Sequence, residues 1–105
     1  MIVMTFGLIW GISGMKDENG LYYHPDPTDC GSRVYVRRGD GGIEFRLWRS
    51  DHPEVWERHG WLVHDVIQAA AEMYKESGTG ADPLALYDIN VAQALLRDEE
   101  RKRGA

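Results

Sequence analysis

Cysteine is almost missing from this sequence, which has Cys30 as its single cysteine in 105 residues. One cysteine excludes a disulfide within the chain and a zinc site made of four cysteines. It also favours a reducing compartment, so we predict a cytoplasmic protein. The length and the apolar share of 43% are typical of one soluble globular domain, which we predict over residues 1–105.

Positive charge is also scarce, since 12 lysine and arginine residues face 17 acidic ones and the net charge is -5. This balance argues against nucleic-acid binding by the surface as a whole. The exception is the segment 33–49, in which five arginines and two acidic residues give a local net charge of +3. Any basic binding surface therefore has to lie on that segment.

The first twelve residues form the longest mainly apolar run, and a transmembrane helix needs about 20 such residues. A secretory signal is not indicated, because the first basic residue, Lys16, follows the run instead of preceding it. We therefore predict no membrane partner. The alternation of side chains along 2–12 predicts a β-strand. In the alternative interpretation, Met15 is the biological start and residues 1–14 are a dispensable arm.

Catalytic motifs are missing too: the sequence has no nucleophile elbow, Walker loop, dinucleotide fingerprint or H-E-x-x-H. It therefore favours a non-catalytic protein and indicates no cofactor. One loop does contain four possible metal ligands, His24, Asp26, Asp29 and Cys30. A second ligand pair would have to come from His52, His59 or His64, and no standard spacing links them to the loop. Turn chemistry is the favoured interpretation, and a small metal-binding protein or enzyme is an alternative.

The clearest local pattern is a β-hairpin over residues 33–49. Two strand-like runs flank Asp40-Gly41, which suits a type I′ turn with positive φ at both residues. This turn fixes the pairing of the two strands. The predicted pairs are Arg38–Ile43, Arg37–Glu44, Val36–Phe45, Tyr35–Arg46, Val34–Leu47 and Arg33–Trp48.

This register separates an apolar face of the hairpin from a basic and aromatic one. Planar, weakly hydrated guanidinium groups beside aromatic rings are suited to flat or anionic partners. We therefore predict a binding surface that consists of Arg33, Tyr35, Arg37, Arg46 and Trp48. We expect Arg46→Ala and Trp48→Ala to weaken partner binding with only a modest loss of stability. The alternative is that these cross-strand pairs only stabilise the sheet, and a helix packed on this face would favour that alternative.

The next segment has the periodicity of a single long helix that continues through Gly60 to the region of Ser77. Asp51 and Glu54 suit a capping box at its start. On this helix His59 falls on the apolar side and is predicted to be buried. His64 falls on the polar side with Trp61, which makes His64 exposed and Trp61 a partner-facing residue. The alternative is that Gly60 ends a short helix at His59.

The last helix is predicted to begin after Asp88, its N-cap, with Pro83–Tyr87 as a turn or short helical piece. Its apolar arc is wider than one packing neighbour needs, which predicts a homodimer. The mixed charges of residues 97–105 are typical of a solvated tail.

Together these patterns predict an α+β fold: a small antiparallel sheet, made of the hairpin and one or two N-terminal strands, covered on one face by two C-terminal helices. The favoured function is a non-catalytic interaction or regulatory module that self-associates or binds another protein. Four tryptophans, the wide apolar arc and the lack of catalytic motifs favour it. Binding of nucleic acid or an anionic ligand through the outer hairpin face is the first alternative. A small metal-binding protein or enzyme using His24, Cys30 and the helix histidines is the second.

Overall fold

The computed structural model describes residues 15–26, 28–78 and 82–104. The strand or arm predicted for the first fourteen residues lies outside them. The strands are β1 Met15–Asp17, β2 Gly20–Tyr23, β3 Ser32–Gly39, β4 Gly42–Arg49 and β5 Leu62–Val63. The helices are α1 Glu54–His59, α2 His64–Ser77, α3 Pro83–Leu86 and α4 Ile89–Gly104.

The five strands form one antiparallel sheet in the order β1-β2-β3-β4-β5. All six residue pairs predicted for the hairpin are present, from Arg38–Ile43 to Arg33–Trp48. The ladder also includes Ser32–Arg49 and Gly39–Gly42. The predicted register is therefore confirmed.

The predicted type I′ turn at Asp40-Gly41 is wrong. Neither residue has a positive φ, which lies instead at Gly42 with φ 122°. A type I turn keeps its two central residues at negative φ and favours glycine at the next position. This arrangement spares Asp40 the steric cost of the left-handed region while leaving the register unchanged. The β1–β2 turn follows the same pattern, with φ 126° at Gly20.

The apolar face of the sheet packs against α2 and α4. Val34 and Phe45 are completely buried there, and Ile67 of α2 and Leu95 of α4 pack with them. The core also contains Tyr23, Val36, Ile43, Tyr87, Ala92 and Leu96. An α+β fold with two C-terminal helices on one face of the sheet is therefore confirmed.

The single long helix is wrong, and the alternative break at Gly60 is present. Helix α1 ends at His59, and Gly60 has φ 62°, after which β5 pairs with β4. Leu62 pairs with Phe45, so this segment forms sheet hydrogen bonds in place of helical ones. Helical periodicity describes only the directions of side chains along the segment. It therefore gives no information about backbone pairing with a distant strand.

Three predictions that depended on the long helix are also wrong. Asp51 pairs with Arg49 instead of capping, and the N-terminus of α1 has no side-chain cap. His59 is exposed, because α1 ends there. His64 is partly buried at the start of α2, so the predicted exposures of the two histidines are reversed.

The predicted start of the last helix is confirmed. The Asp88 side chain accepts hydrogen bonds from the backbone N–H of Asn90 at 2.9 Å and of Val91 at 3.3 Å. The buried hydroxyl of Tyr23 donates to the carbonyl oxygen of Leu86 at 2.8 Å and accepts from the Asp88 N–H at 3.0 Å. Burial raises the pKa of this hydroxyl well above its ordinary value. Tyr23 thus ties the sheet to the junction of α3 and α4.

The wide apolar arc of α4 is buried or partly buried within the chain. Ala92, Leu95 and Leu96 are all less than one tenth exposed. Among the described residues, the large apolar side chains that are markedly exposed are Met15, Val66, Met73, Tyr74 and Leu84, and α4 contributes none of them. None of the helices in the described part of the chain is long and apolar enough to cross a bilayer.

The charged end of α4 is helical through Gly104 and is partly tied to the sheet. Lys16 of β1 lies 2.8 Å from Glu99, and Arg38 of β3 pairs with Glu100. Positions 97 and 100–103 are exposed, as predicted for a solvated tail.

Candidate functional site

The five residues of the predicted hairpin surface lie on the outer face of the sheet together with Trp61, which was predicted separately as a binding residue. β3 contributes Arg33, Tyr35 and Arg37, β4 contributes Arg46 and Trp48, and Trp61 comes from the connection between α1 and β5. Two residues that were not predicted to belong complete the cluster: Tyr22 of β2 and Trp56 of α1. We call these eight residues the arginine–aromatic face.

Arg33 lies at one end of this face between two aromatic rings. Its guanidinium carbon is 4.8 Å from the centre of the Trp48 ring and 4.9 Å from that of Tyr22. Trp48 is the cross-strand partner of Arg33, so the register of the hairpin sets the first contact. Asp17 of β1 completes the arrangement at 3.2 Å from Arg33.

Tyr35 lies at the centre and is only 1% exposed. Its ring packs against Tyr22 at 5.0 Å and edge-on against Trp56 at 5.1 Å between centroids. Its hydroxyl donates a hydrogen bond to Asp17 at 2.6 Å. Burial, together with this bond to a carboxylate, raises the pKa of Tyr35.

The Asp17 carboxylate receives several favourable contacts. Burial alone would raise the pKa of Asp17. Hydrogen bonds from the Tyr35 hydroxyl and the Asn19 N–H, with Arg33 beside them, leave this pKa below its ordinary value of 3.8. The acid is therefore held in its charged form.

Arg46 fastens α1 to the sheet. Its Nε donates to the carbonyl oxygen of Trp56 at 2.8 Å, and its guanidinium carbon lies 3.9 Å from the centre of the same indole ring. The side chain is 16% exposed, and Glu57 lies 3.8 Å away. The carbonyl groups near the end of a helix lack partners within it, so this bond also completes α1.

Arg37 and Trp61 form the solvent-facing edge of the face. The Arg37 guanidinium carbon is 4.1 Å from the centre of the Trp61 ring, and its Nε donates to Glu44 at 2.6 Å. The Arg37 side chain is 51% exposed. Trp61 contacts Trp56 edge-on at 6.3 Å, so the exposed pair is supported by the buried part of the face.

Carboxylates neutralise the positive charge predicted for the hairpin. The five pairs are Arg33–Asp17, Arg37–Glu44, Arg38–Glu100, Arg46–Glu57 and Arg49–Asp51. Four of these acids, Asp17, Asp51, Glu57 and Glu100, lie outside the hairpin, so the sequence of residues 33–49 gave no sign of them. Arginines that already face carboxylates provide less attraction for a polyphosphate chain than the local charge of +3 suggested.

The possible metal ligands of the loop are engaged in local hydrogen bonds. Nδ1 of His24 lies 2.9 Å from the carbonyl oxygen of Ser32. Asp26 accepts from the Thr28 N–H at 2.9 Å and Asp29 accepts from the Gly31 N–H at 2.9 Å, which is the turn chemistry favoured above. Across residues 15–26, 28–78 and 82–104, no three His, Cys, Asp or Glu side chains lie close enough together to hold a metal ion. Cys30 is exposed.

Two grooves of about 280 and 400 Å³ meet at His64, next to the first residue of α4. The Nδ1 atom of this histidine is buried and has no hydrogen-bond partner among the described residues. Asp88 lines the smaller groove, and the larger one is lined by Asp65 and by Arg38, which already pairs with Glu100. The sequence pointed to His64 only as a possible metal ligand, because the long-helix interpretation placed it in solvent.

Comparisons of the chain with protein-family models, with curated proteins and with solved protein structures give no match. The functional interpretation therefore rests on the residues of the arginine–aromatic face and on the surfaces around it.

Proposed function

We propose that this protein is a non-catalytic interaction module that binds another protein through the exposed edge of the arginine–aromatic face. Arg37 and Trp61 form that edge. The observation that carries the proposal is the stacked pair of Arg37 and Trp61, in which Arg37 is half exposed and Trp61 is partly exposed, with Trp56 supporting the pair from beneath. Tryptophan and arginine are the side chains most often found at the energetic centres of protein interfaces.

The arginine–aromatic face favours binding because its side chains are already held in place before a partner binds. Arg33 lies between two rings, and Arg37 is fixed by Glu44 on the neighbouring strand. Side chains already held in one geometry lose less conformational entropy when a partner arrives. The edge therefore presents rigid indole and guanidinium groups to the partner.

The chemistry of the edge favours a protein partner over a nucleic acid. Each hairpin arginine faces a carboxylate, so binding a phosphate chain would first require breaking these pairs. Indole faces and a stacked guanidinium suit planar side chains of another protein. Self-association was predicted from the apolar arc of α4, which is covered; we therefore propose a different protein as the partner. We place the module in the cytoplasm, where the exposed thiol of Cys30 stays reduced.

Site-specific photo-cross-linking tests this proposal. Benzoylphenylalanine replaces exposed Arg58, at the end of α1 and three residues before Trp61, in one variant and exposed Asn90, on α4 behind the other face of the sheet, in the control. The account expects one cross-linked protein from position 58, its loss on Arg37→Ala, and no equivalent product from position 90. The same product from both positions, or one that Arg37→Ala leaves unchanged, would contradict it.

A further inference from the structure

Helix α2 has a second apolar side that no described part of the chain covers. Its inner side packs into the core through Ile67 and Ala71, which are 2% and 8% exposed. Val66 and Met73 lie elsewhere on the helix and are 53% and 68% exposed. Ala69, also exposed, falls between them at helical spacing, so the three side chains form one stripe. We call Val66, Ala69 and Met73 the α2 stripe.

The charges beside the α2 stripe are distributed unequally. On the helical wheel, Asp65, Glu72 and Glu76 lie along the edge away from the core, and all three are exposed. The opposite edge of the stripe is next to the side of the helix that is buried at Ile67. Lys75 contacts Glu72 at 3.9 Å from the far side of the helix. The free edge of the stripe is therefore acidic.

We infer that the α2 stripe docks an amphipathic helix of another protein, in which apolar side chains are flanked by lysine or arginine. Apolar residues at i, i+3 and i+7 are the anchors of helix-in-groove recognition. The acidic edge selects a basic flank on the incoming helix, and the net charge of -5 favours its approach. The 14 residues of α2 span about 21 Å, which is enough for about four turns of the partner helix.

A second copy of this chain suits the stripe less well. A two-fold axis that pairs two α2 helices in antiparallel orientation places the same edge of each helix side by side. The acidic edges of the two helices would then lie next to each other, and their like charges repel. Charge complementarity thus favours a basic helix from another protein.

The α2 stripe is independent of the arginine–aromatic face. Helix α2 packs on the core face of the sheet through Ile67, whereas Trp61 and Arg37 lie on the opposite face. The two surfaces could bind different proteins at once, and a variant of one should leave the other unchanged. This independence separates a failure of one proposal from a failure of the other.

Two synthetic helical peptides test the inference with the full chain. Both carry leucines at i, i+3, i+4 and i+7, and their flanking positions are lysine in one and glutamate in the other. We expect the lysine peptide to bind, and backbone NMR shifts to change along α2. Met73→Ser should weaken this binding about tenfold, a common result of losing one anchoring side chain. Trp61→Ala should leave it unchanged.

A second variant tests whether the acidic edge of the α2 stripe selects a basic partner. The double substitution Glu72→Lys and Glu76→Lys should reverse the preference, so that the glutamate peptide binds more tightly than the lysine peptide. Three results would overturn the inference: equal binding of both peptides, NMR shifts away from α2, or a dimer of the protein alone that Met73→Ser dissociates. The last result would make a second copy the natural occupant of the stripe.

Discussion

Arg46 and Trp56 contact each other twice, through a hydrogen bond of 2.8 Å to the Trp56 carbonyl oxygen and a guanidinium–ring distance of 3.9 Å. One residue belongs to the sheet and the other to α1, so this pair holds the helix on the outer face. Tyr35 is buried beneath the Trp56 ring as a result. The inner part of the arginine–aromatic face is thus a packed layer, and binding is left to its edge.

Arg46→Ala should destabilise the fold more than Arg37→Ala does. Loss of Arg46 removes a largely desolvated cation–π contact and leaves the Trp56 carbonyl without this donor, which should cost about 1–3 kcal/mol. Arg37 is half exposed, and its loss should cost less than about 1 kcal/mol. Urea denaturation of both variants measures the difference. The expected loss of stability for Arg46→Ala is larger than the modest loss predicted from the sequence. Equal losses of stability in the two variants would show that other contacts hold α1 on the sheet.

Gly60→Ala distinguishes the observed break at Gly60 from one long helix, because the two structures predict opposite changes in the free energy of unfolding. With φ 62° and ψ -159°, Gly60 occupies a region that is open essentially to glycine alone, so alanine should cost about 1–3 kcal/mol. In the interior of a long helix the same change would stabilise by about 1 kcal/mol.

Gly41→Ala is the matched control for that substitution. Gly41 does not have a positive φ, and an added Cβ would lie 3.6 Å from a Val63 methyl group, an ordinary contact. Its effect on the free energy of unfolding should stay below about 1 kcal/mol. An increase in stability for Gly60→Ala would contradict the break between α1 and β5.

Acid should destabilise the wild-type protein more than Asp17→Asn. The pKa of Asp17 lies below 3.8 in the folded state, so the folded protein binds fewer protons than the unfolded chain in this range. Its stabilising effect is complete above the unfolded pKa and is lost as the pH falls through the folded one. Melting temperatures of both proteins from neutral pH into the acid range check the expectation. Parallel curves would show that Tyr35 and Arg33 do not hold the carboxylate in its charged form.

Light scattering should return the monomer mass of 12.0 kDa at micromolar concentration. The homodimer predicted from the sequence depended on an exposed apolar arc on α4, and Leu95 and Leu96 of that arc are buried. A mass twice as large would restore the homodimer and require an interface elsewhere.

The hairpin was predictable because its constraints are local. Side chains alternate with a period of two, so a tight turn at Asp40-Gly41 was enough to set every pair from Arg38–Ile43 onward. The N-cap at Asp88 was predictable for a similar reason, since a carboxylate within the apolar arc of a helix would otherwise be buried. The type of the hairpin turn was nevertheless predicted wrongly. A type I turn followed by Gly42 gives the same register as a type I′ turn, so the register could not distinguish them.

The parts that sequence reasoning missed depend on distant partners. The break at Gly60 is stabilised by the pairing of β5 with β4, which leaves the side-chain periodicity of the segment unchanged. Tyr22 and Trp56 joined the candidate site from elements whose place on the sheet could not be read locally. The neutralisation of the arginines likewise required Asp17 and Glu57, which come from β1 and α1.

The affinity of the cross-linked partner for Trp61→Ala is the most direct test of the central claim, that the edge of the arginine–aromatic face binds another protein. Isothermal titration of that partner should show a loss of about tenfold or more, while the free energy of unfolding changes by less than about 1 kcal/mol. Wild-type affinity in Trp61→Ala would contradict the claim and leave the face as scaffold for the fold.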